Sequence, residues 1–167
     1  WIYQRPSTPL SLRATASPVL VEKYVFAGFP GGKLIAVSAE NGAPLWEGAV
    51  ALPKGATELD RVADVSSMPV IDARMICAAA FQGRVSCFDL GSGSLVWARE
   101  ISSAAGLAID SRFVYVSDDK GAVHALDKAS GASLWKQDKL FLRRLTAPMP
   151  LRNLVVVGDV RGVVHFL

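Results

Sequence analysis

A cassette of fifteen residues occurs three times in the chain with the same internal spacing. Each copy begins with Gly, has a second Gly ten positions later and ends with Trp four positions after that. The copies occupy residues 32–46, 83–97 and 121–135, and a fourth begins at Gly162. Spacing this regular indicates a repeat protein, in which each unit packs against its neighbours.

The repeat extends upstream of each cassette. Pro18, Pro69, Leu107 and Pro148 each lie fourteen residues before the first Gly of their unit. A unit therefore has three short apolar runs separated by turn sequences, and its Trp opens a fourth run. No window keeps the periodicity of an amphipathic helix. Four short strands per unit predict an all-β chain, a partial β-propeller of about three to four blades, each a four-stranded antiparallel sheet.

The phase of the repeat predicts how the chain divides into blades. Because it starts and stops within a blade, we expect it to form part of a larger ring. The open ends of such a part lead us to expect self-association. The predicted divisions are the end of a preceding blade with a connector (residues 1–17), a blade (18–52), a long inter-blade loop (53–68), two further blades (69–104 and 105–141) and an incomplete blade (142–167).

The tryptophans are predicted to belong to the core. Trp46, Trp97 and Trp135 open the fourth strands, where we expect each to cover the sheet of the next blade. Trp1 fits the same position in a preceding unit. Residues 140–145 are interpreted as a fourth strand that continues into the next blade, with its arginines at the exposed end.

Composition and motifs exclude several classes of function. The net charge of +3 is modest and the basic residues are scattered, which disfavours a nucleic-acid groove. No apolar run is long enough to span a bilayer. The chain has no GxSxG motif, phosphate loop or dinucleotide fingerprint, so no catalytic residue or cofactor is predicted. His124 and His165 occupy equivalent positions, but without Cys or acidic companions they make a poor metal site.

Two cysteines, Cys77 and Cys87, lie on neighbouring strands of one predicted hairpin. A two-residue turn at Gln82 and Gly83 directs them to opposite faces, whereas a three-residue turn lets them face one another and pair. We expect small, buried and unpaired cysteines, with the disulfide as the alternative.

Function is expected in the spacers that join the units, because insertions in repeat folds fall in loops on one face. The first two spacers are the longest, at 17 and 23 positions from Trp to the next Pro, against 10 and 13 for the others. Leu10, Leu12 and Arg13 in the first are either part of a blade-entry strand or an exposed contact segment. The second carries a charged cluster that forms either a solvated loop or a contact site: Glu58, Asp60, Arg61 and Asp64.

The end of each cassette resembles the Ala-x-Asp-x-x-x-Gly-x-x-x-Trp repeat of the pyrroloquinoline-quinone (PQQ) propellers. That repeat serves both dehydrogenases and non-enzymatic proteins, so it indicates the fold alone. The spacers are more specific. Residues 11–13, 55–70 and 142–167 resemble consecutive segments of the BamB family, the periplasmic propeller lipoproteins of the outer-membrane β-barrel assembly machinery.

The resemblance implies a non-enzymatic scaffold without cofactor or metal. Its partner would be the periplasmic POTRA domains of BamA, and nascent outer-membrane proteins would be further partners. It implies a location at the periplasmic face of the outer membrane, with a lipid anchor outside this chain. The alternatives are a fragment of a PQQ-dependent dehydrogenase and a periplasmic propeller with another partner. The residues that match the contact segments of the family are Leu10, Leu12, Arg13, Glu58, Asp60, Arg61 and Asp64.

Overall fold

A computed structural model describes residues 1–6, 10, 16–52, 55–57, 59 and 61–167. These residues form fifteen β-strands and no helix, and every strand pair is antiparallel. The strands make three four-stranded sheets and one three-stranded sheet, each in sequence order. The prediction of an all-β chain of antiparallel blades is therefore confirmed.

The strands divide among four blades. Blade I contains β1 (Val19–Val21), β2 (Tyr24–Phe29), β3 (Lys33–Ser38) and β4 (Pro44–Ala49). Blade II contains β5 (Val70–Asp72), β6 (Met75–Ala79), β7 (Val85–Asp89) and β8 (Leu95–Arg99). Blade III contains β9 (Gly106–Ile109), β10 (Phe113–Ser117), β11 (Val123–Asp127) and β12 (Ser133–Gln137). Blade IV contains β13 (Met149–Leu151), β14 (Leu154–Gly158) and β15 (Val164–Phe166).

The core lies between successive blades. Phe26 and Leu34 of blade I pack with Ile76 and Phe88 of blade II, and equivalent clusters join blades II and III and blades III and IV. The third strands of blades I and II are consequently buried over most of their length, and in β3 the four residues 34–37 are all buried. Burial against two neighbours explains why a blade needs both to complete its core.

Each of the first three tryptophans covers the next blade, as predicted. The Trp1 indole N–H donates to the Ala39 carbonyl oxygen (3.0 Å), that of Trp46 to Leu90 (3.1 Å) and that of Trp97 to Lys128 (2.8 Å). The rings lie on the second Gly of the following cassette: Gly42, Gly93 and Gly131.

Trp1 and Trp135 depart from the prediction that the tryptophans belong to the core. Trp1 is 60% exposed and Trp135 is 39% exposed, whereas Trp97 is 6% exposed. The Trp135 ring contacts Tyr115 of its own blade, with ring centroids 6.2 Å apart.

The interpretation of residues 140–145 as a fourth strand is wrong. The fourth strand of blade III is β12, and the segment after it contains turns. Leu142 and Arg144 have φ angles of 59° and 50°, which a strand cannot contain. The segment is instead part of the connection to blade IV.

The expectation of unpaired cysteines is also wrong, because Cys77 and Cys87 form a disulfide. The β6–β7 turn has three residues between Ala80 and Arg84, whose backbone N–H and carbonyl close the hairpin at 2.9 Å. The three-residue turn places the two cysteines directly opposite one another in the ladder. Both side chains are fully buried.

Candidate functional site

The connections between blades lie on one face together with the turns that join the second and third strands of each blade. We call this the connector face. Its four connectors are the first (residues 6–18), second (50–69), third (100–105) and fourth (138–148), of which the first two are described only in part. Hydrogen bonds between connectors and turns place them together.

Asp64 joins the second connector to both adjacent blades. Its carboxylate Oδ1 accepts a hydrogen bond from the Gly31 N–H in the β2–β3 turn (3.0 Å). Its carbonyl oxygen accepts one from Phe81 N–H in the β6–β7 turn (2.9 Å). The residue is 2% exposed, and its neighbours Ala63 and Val65 are also buried. Asp64 therefore fixes the end of the connector from within.

Ser102 does the same in the third connector. Its hydroxyl oxygen accepts a hydrogen bond from Gln82 N–H (2.8 Å), and its carbonyl oxygen accepts one from Asp119 N–H (3.1 Å). The hydroxyl also donates to the Asp119 carboxylate. A connector of six residues is thus anchored in the same way as one of twenty.

In blades III and IV the backbone N–H equivalent to those of Gly31 and Gln82 donates instead to a carboxylate within the turn itself. Asp118 Oδ1 accepts from Lys120 N–H (3.0 Å), and Asp118 Oδ2 contacts His124 Nε2 (2.8 Å). Burial raises the pKa of Asp118, but the hydrogen bonds from His124 and from backbone N–H groups outweigh it, so the pKa lies below its usual value.

Asp159 repeats this arrangement in blade IV. Its carboxylate contacts His165 Nε2 (2.9 Å) and accepts from Arg143 of the fourth connector (2.9 Å). These two side chains are the main reason that the pKa of Asp159 is well below its ordinary value. The two histidines therefore hold turns. Among the described residues, no group of three or more His, Cys, Asp or Glu is arranged to bind a metal ion.

The predicted contact residues are divided between surface and interior. Leu10 is exposed, Arg61 donates through Nε to the Gly55 carbonyl oxygen (3.1 Å), and Asp64 is buried. Leu12, Arg13, Glu58 and Asp60 lie outside the described residues.

The second connector also presents apolar side chains that the sequence reasoning missed. Leu52, which precedes the predicted charged cluster, and Leu59, which lies within it, are both exposed. They stand outside the regular repeat, so the repeat pattern assigns them no buried partner. Exposed apolar side chains beside charged ones are typical of protein-binding surfaces.

A cleft of about 690 Å³ lies at the opposite face, between blades II and III. Met75, Val96 and Phe113 give it apolar walls, and an ion pair between Asp72 and Lys128 lies at its edge. None of the described residues forms a helix with the length and hydrophobicity needed to cross a bilayer.

Comparison with known proteins identifies the family. The family model described as "Outer membrane protein assembly factor BamB" matches residues 1–137. The chain belongs to the BamB family. The BamB of Bordetella pertussis is 48% identical over 168 residues, which cover 100% of this chain and 44% of that protein. The BamB of Nitrosomonas eutropha is 46% identical over 168 residues, which cover 100% of this chain and 41% of that protein.

A solved structure supports the same assignment. The crystal structure of BamB from Moraxella catarrhalis matches with a TM-score of 0.94 and 31% identity, covering 100% of this chain and 51% of that one. The partial-propeller prediction and the resemblance to the BamB family are therefore confirmed. The chain spans about half the length of that BamB chain, and less than half the length of the Bordetella pertussis and Nitrosomonas eutropha proteins.

The likeness to PQQ enzymes concerns the fold alone. A quinohemoprotein alcohol dehydrogenase from Pseudomonas putida matches with a TM-score of 0.71 but only 11% identity. The BamB relatives are named assembly factors, in agreement with the prediction of a non-enzymatic protein.

Proposed function

We propose that this chain is part of a non-enzymatic scaffold that assists outer-membrane protein assembly. In this proposal its connector face binds the periplasmic POTRA domains of BamA. Membership of the BamB family supports the assembly role. One structural observation supports the connector face as the binding surface: buried Asp64 anchors a connector on which Leu52 and Leu59 are exposed.

The residues of the proposed site have different roles. Leu10 and Leu12 supply apolar anchors, and Arg13 supplies a charge at the rim. Glu58 and Asp60 steer the partner electrostatically, since exposed rim charges affect association rate more than affinity. Arg61 and Asp64 hold the second connector in shape, because Arg61 bonds to Gly55 and the Asp64 carboxylate is covered from solvent.

The direct test is the double variant Leu12→Ala with Arg13→Ala. We expect capture of the purified POTRA domains to weaken at least about tenfold while the melting temperature stays unchanged. Leu95→Ala is the control, because Leu95 is an exposed leucine on the outer strand β8. If the double variant binds with wild-type affinity, the first connector is not part of the interface. Absence of binding by the wild-type protein would refute the proposed function.

The proposed location is the periplasmic face of the outer membrane, where BamA and nascent outer-membrane proteins would both be accessible. The names of the relatives support an outer-membrane assembly role. Fractionation of cells that produce the protein tests the location: we expect it with the outer membrane, and recovery with the cytosol would contradict the proposal.

A further inference from the structure

The fourth connector presents two adjacent apolar side chains that the proposed site does not include. Phe141 and Leu142 are 63% and 70% exposed. The residues on either side, Leu140 and Leu145, are buried in the core between blades III and IV. The connector is therefore anchored at both sides while its middle faces solvent.

Backbone hydrogen bonds hold this apolar pair in place. Leu142 N–H donates to the Lys120 carbonyl oxygen in the turn of blade III (2.9 Å). Val160 N–H, in the turn of blade IV, donates to the Arg143 carbonyl oxygen (3.1 Å). A Cβ on Gly121 would lie 2.3 Å from the Leu140 carbonyl oxygen, so the connector rests directly on the turn. A surface held this way needs little ordering when a partner binds.

The exposed pair sits on an unfavourable backbone. Leu142 and Arg144 both have φ angles in the left-handed region, which residues with a Cβ seldom adopt. Strain of this kind persists where the surrounding structure enforces it, and it is frequent at functional sites. Here the enforced conformation coincides with the exposure of two large apolar side chains.

Cationic residues lie beside the pair in the connector and in the turn to which it is hydrogen-bonded. Lys120, Lys139 and Arg144 are exposed, and within the described part of the chain none of them forms an ion pair. Of the nearby acids, Asp119 binds Ser102 and the Ala104 N–H, and Asp138 is exposed. The rim of the apolar pair is therefore net positive.

We propose that Phe141 and Leu142 form a second docking point for the protein that the connector face binds. The complementary surface is an apolar cleft bordered by carboxylates. Aromatic residues, Phe among them, and arginine are enriched at protein interfaces. A bilayer surface fits less well, because two apolar side chains bury little area in lipid, and Asp119 and Asp138 oppose anionic headgroups. This inference rests on the proposed function.

The test compares the double variant Phe141→Ser with Leu142→Asn against wild type, with purified POTRA domains as the probe. Asn is chosen because it tolerates a positive φ angle. The matched control is Leu95→Ser with Val96→Ser, an adjacent exposed apolar pair on the outer strand β8. We expect binding at least about tenfold weaker in the connector variant, an unchanged affinity in the control and unchanged melting temperatures in both.

Two results would overturn the inference alone. The connector variant could bind the POTRA domains with wild-type affinity, or it could lose binding to vesicles with anionic lipid while still binding the POTRA domains. Failure of the wild-type protein to bind the domains would overturn the proposed function together with this inference. A charge reversal, Lys139→Glu with Arg144→Glu, supplies a second readout, for which we expect weaker binding and a smaller dependence on salt.

Discussion

The Asp64 carboxylate and the Ser102 hydroxyl accept hydrogen bonds from backbone N–H groups at equivalent positions of successive turns, those of Gly31 and Gln82. Both residues lie five positions before the residue that opens the next unit, Pro69 or Leu107. Connectors of very different length therefore end in the same anchor. The anchor therefore joins each connector to the turns of the blades on both sides, whatever the length of the rest of the connector.

This relationship predicts that Asp64→Ala destabilises the protein. The substitution removes the acceptor of the Gly31 N–H, and leaving a backbone donor unsatisfied costs about 1–3 kcal/mol. We expect the free energy of unfolding to fall by that amount in urea denaturation. Asp64→Asn retains an oxygen acceptor and is the matched control, with a smaller loss. Equal stability of the alanine variant and the wild type would contradict the assigned role.

A second prediction separates backbone strain from the packing of tryptophan on glycine. Gly131 and Gly162 have similar φ angles of 68° and 78°. A Cβ on Gly131 would lie 2.5 Å from Trp97 Cδ2, whereas a Cβ on Gly162 meets nothing within 4 Å. Gly162→Ala should cost about 1–2 kcal/mol, from the left-handed conformation alone.

Gly131→Ala should cost more, because the Trp97 ring must also move and its hydrogen bond to Lys128 is lost. The measurement is the urea midpoint of each variant, with tryptophan fluorescence as the probe. Equal losses in the two variants would show that the contact between Trp97 and Gly131 contributes nothing to the blade interface.

The repeat made the blades predictable because Gly, Trp and Pro recur at fixed spacing. It predicted that Trp46 and Trp97 cover the next blade. Turn length was not predictable, since one additional residue between Ala80 and Arg84 reverses which face each cysteine occupies. The role of Asp64 was hidden as well, because its partner Gly31 lies 33 residues away in the sequence. Local charge patterns cannot distinguish a carboxylate that binds a distant turn from one that faces a partner.

The disulfide yields a third prediction. Cys77 and Cys87 are ten residues apart, so closing this loop in the unfolded chain corresponds to about 2–3 kcal/mol. Since both side chains are fully buried, reduction should require unfolding. We expect reductant to lower the urea midpoint of the wild type and to leave that of Cys77→Ala with Cys87→Ala unchanged. If reductant leaves the urea midpoint of the wild type unchanged, the disulfide does not stabilise the protein.

The carboxylates in the turns of blades III and IV predict a loss of stability in acid. The pKa values of Asp118 and Asp159 are lowered in the folded protein, Asp118 despite its burial and both with a hydrogen bond from histidine. Below about pH 4 the unfolded chain binds protons at these groups that the folded chain still excludes. Their contribution is therefore complete above that pH and is lost as the pH falls through the folded values.

Urea titrations between pH 6 and pH 2.5 test this dependence. We expect the wild-type free energy of unfolding to fall as the pH drops below about 4, and Asp118→Asn with Asp159→Asn to show a shallower slope, since an amide takes up no proton in this range. A residual slope remains in the double variant, because hydrogen bonds also lower the pKa values of Glu47, Asp89, Asp110 and Asp127. A double variant as acid-sensitive as the wild type would show that these aspartates do not couple folding to pH.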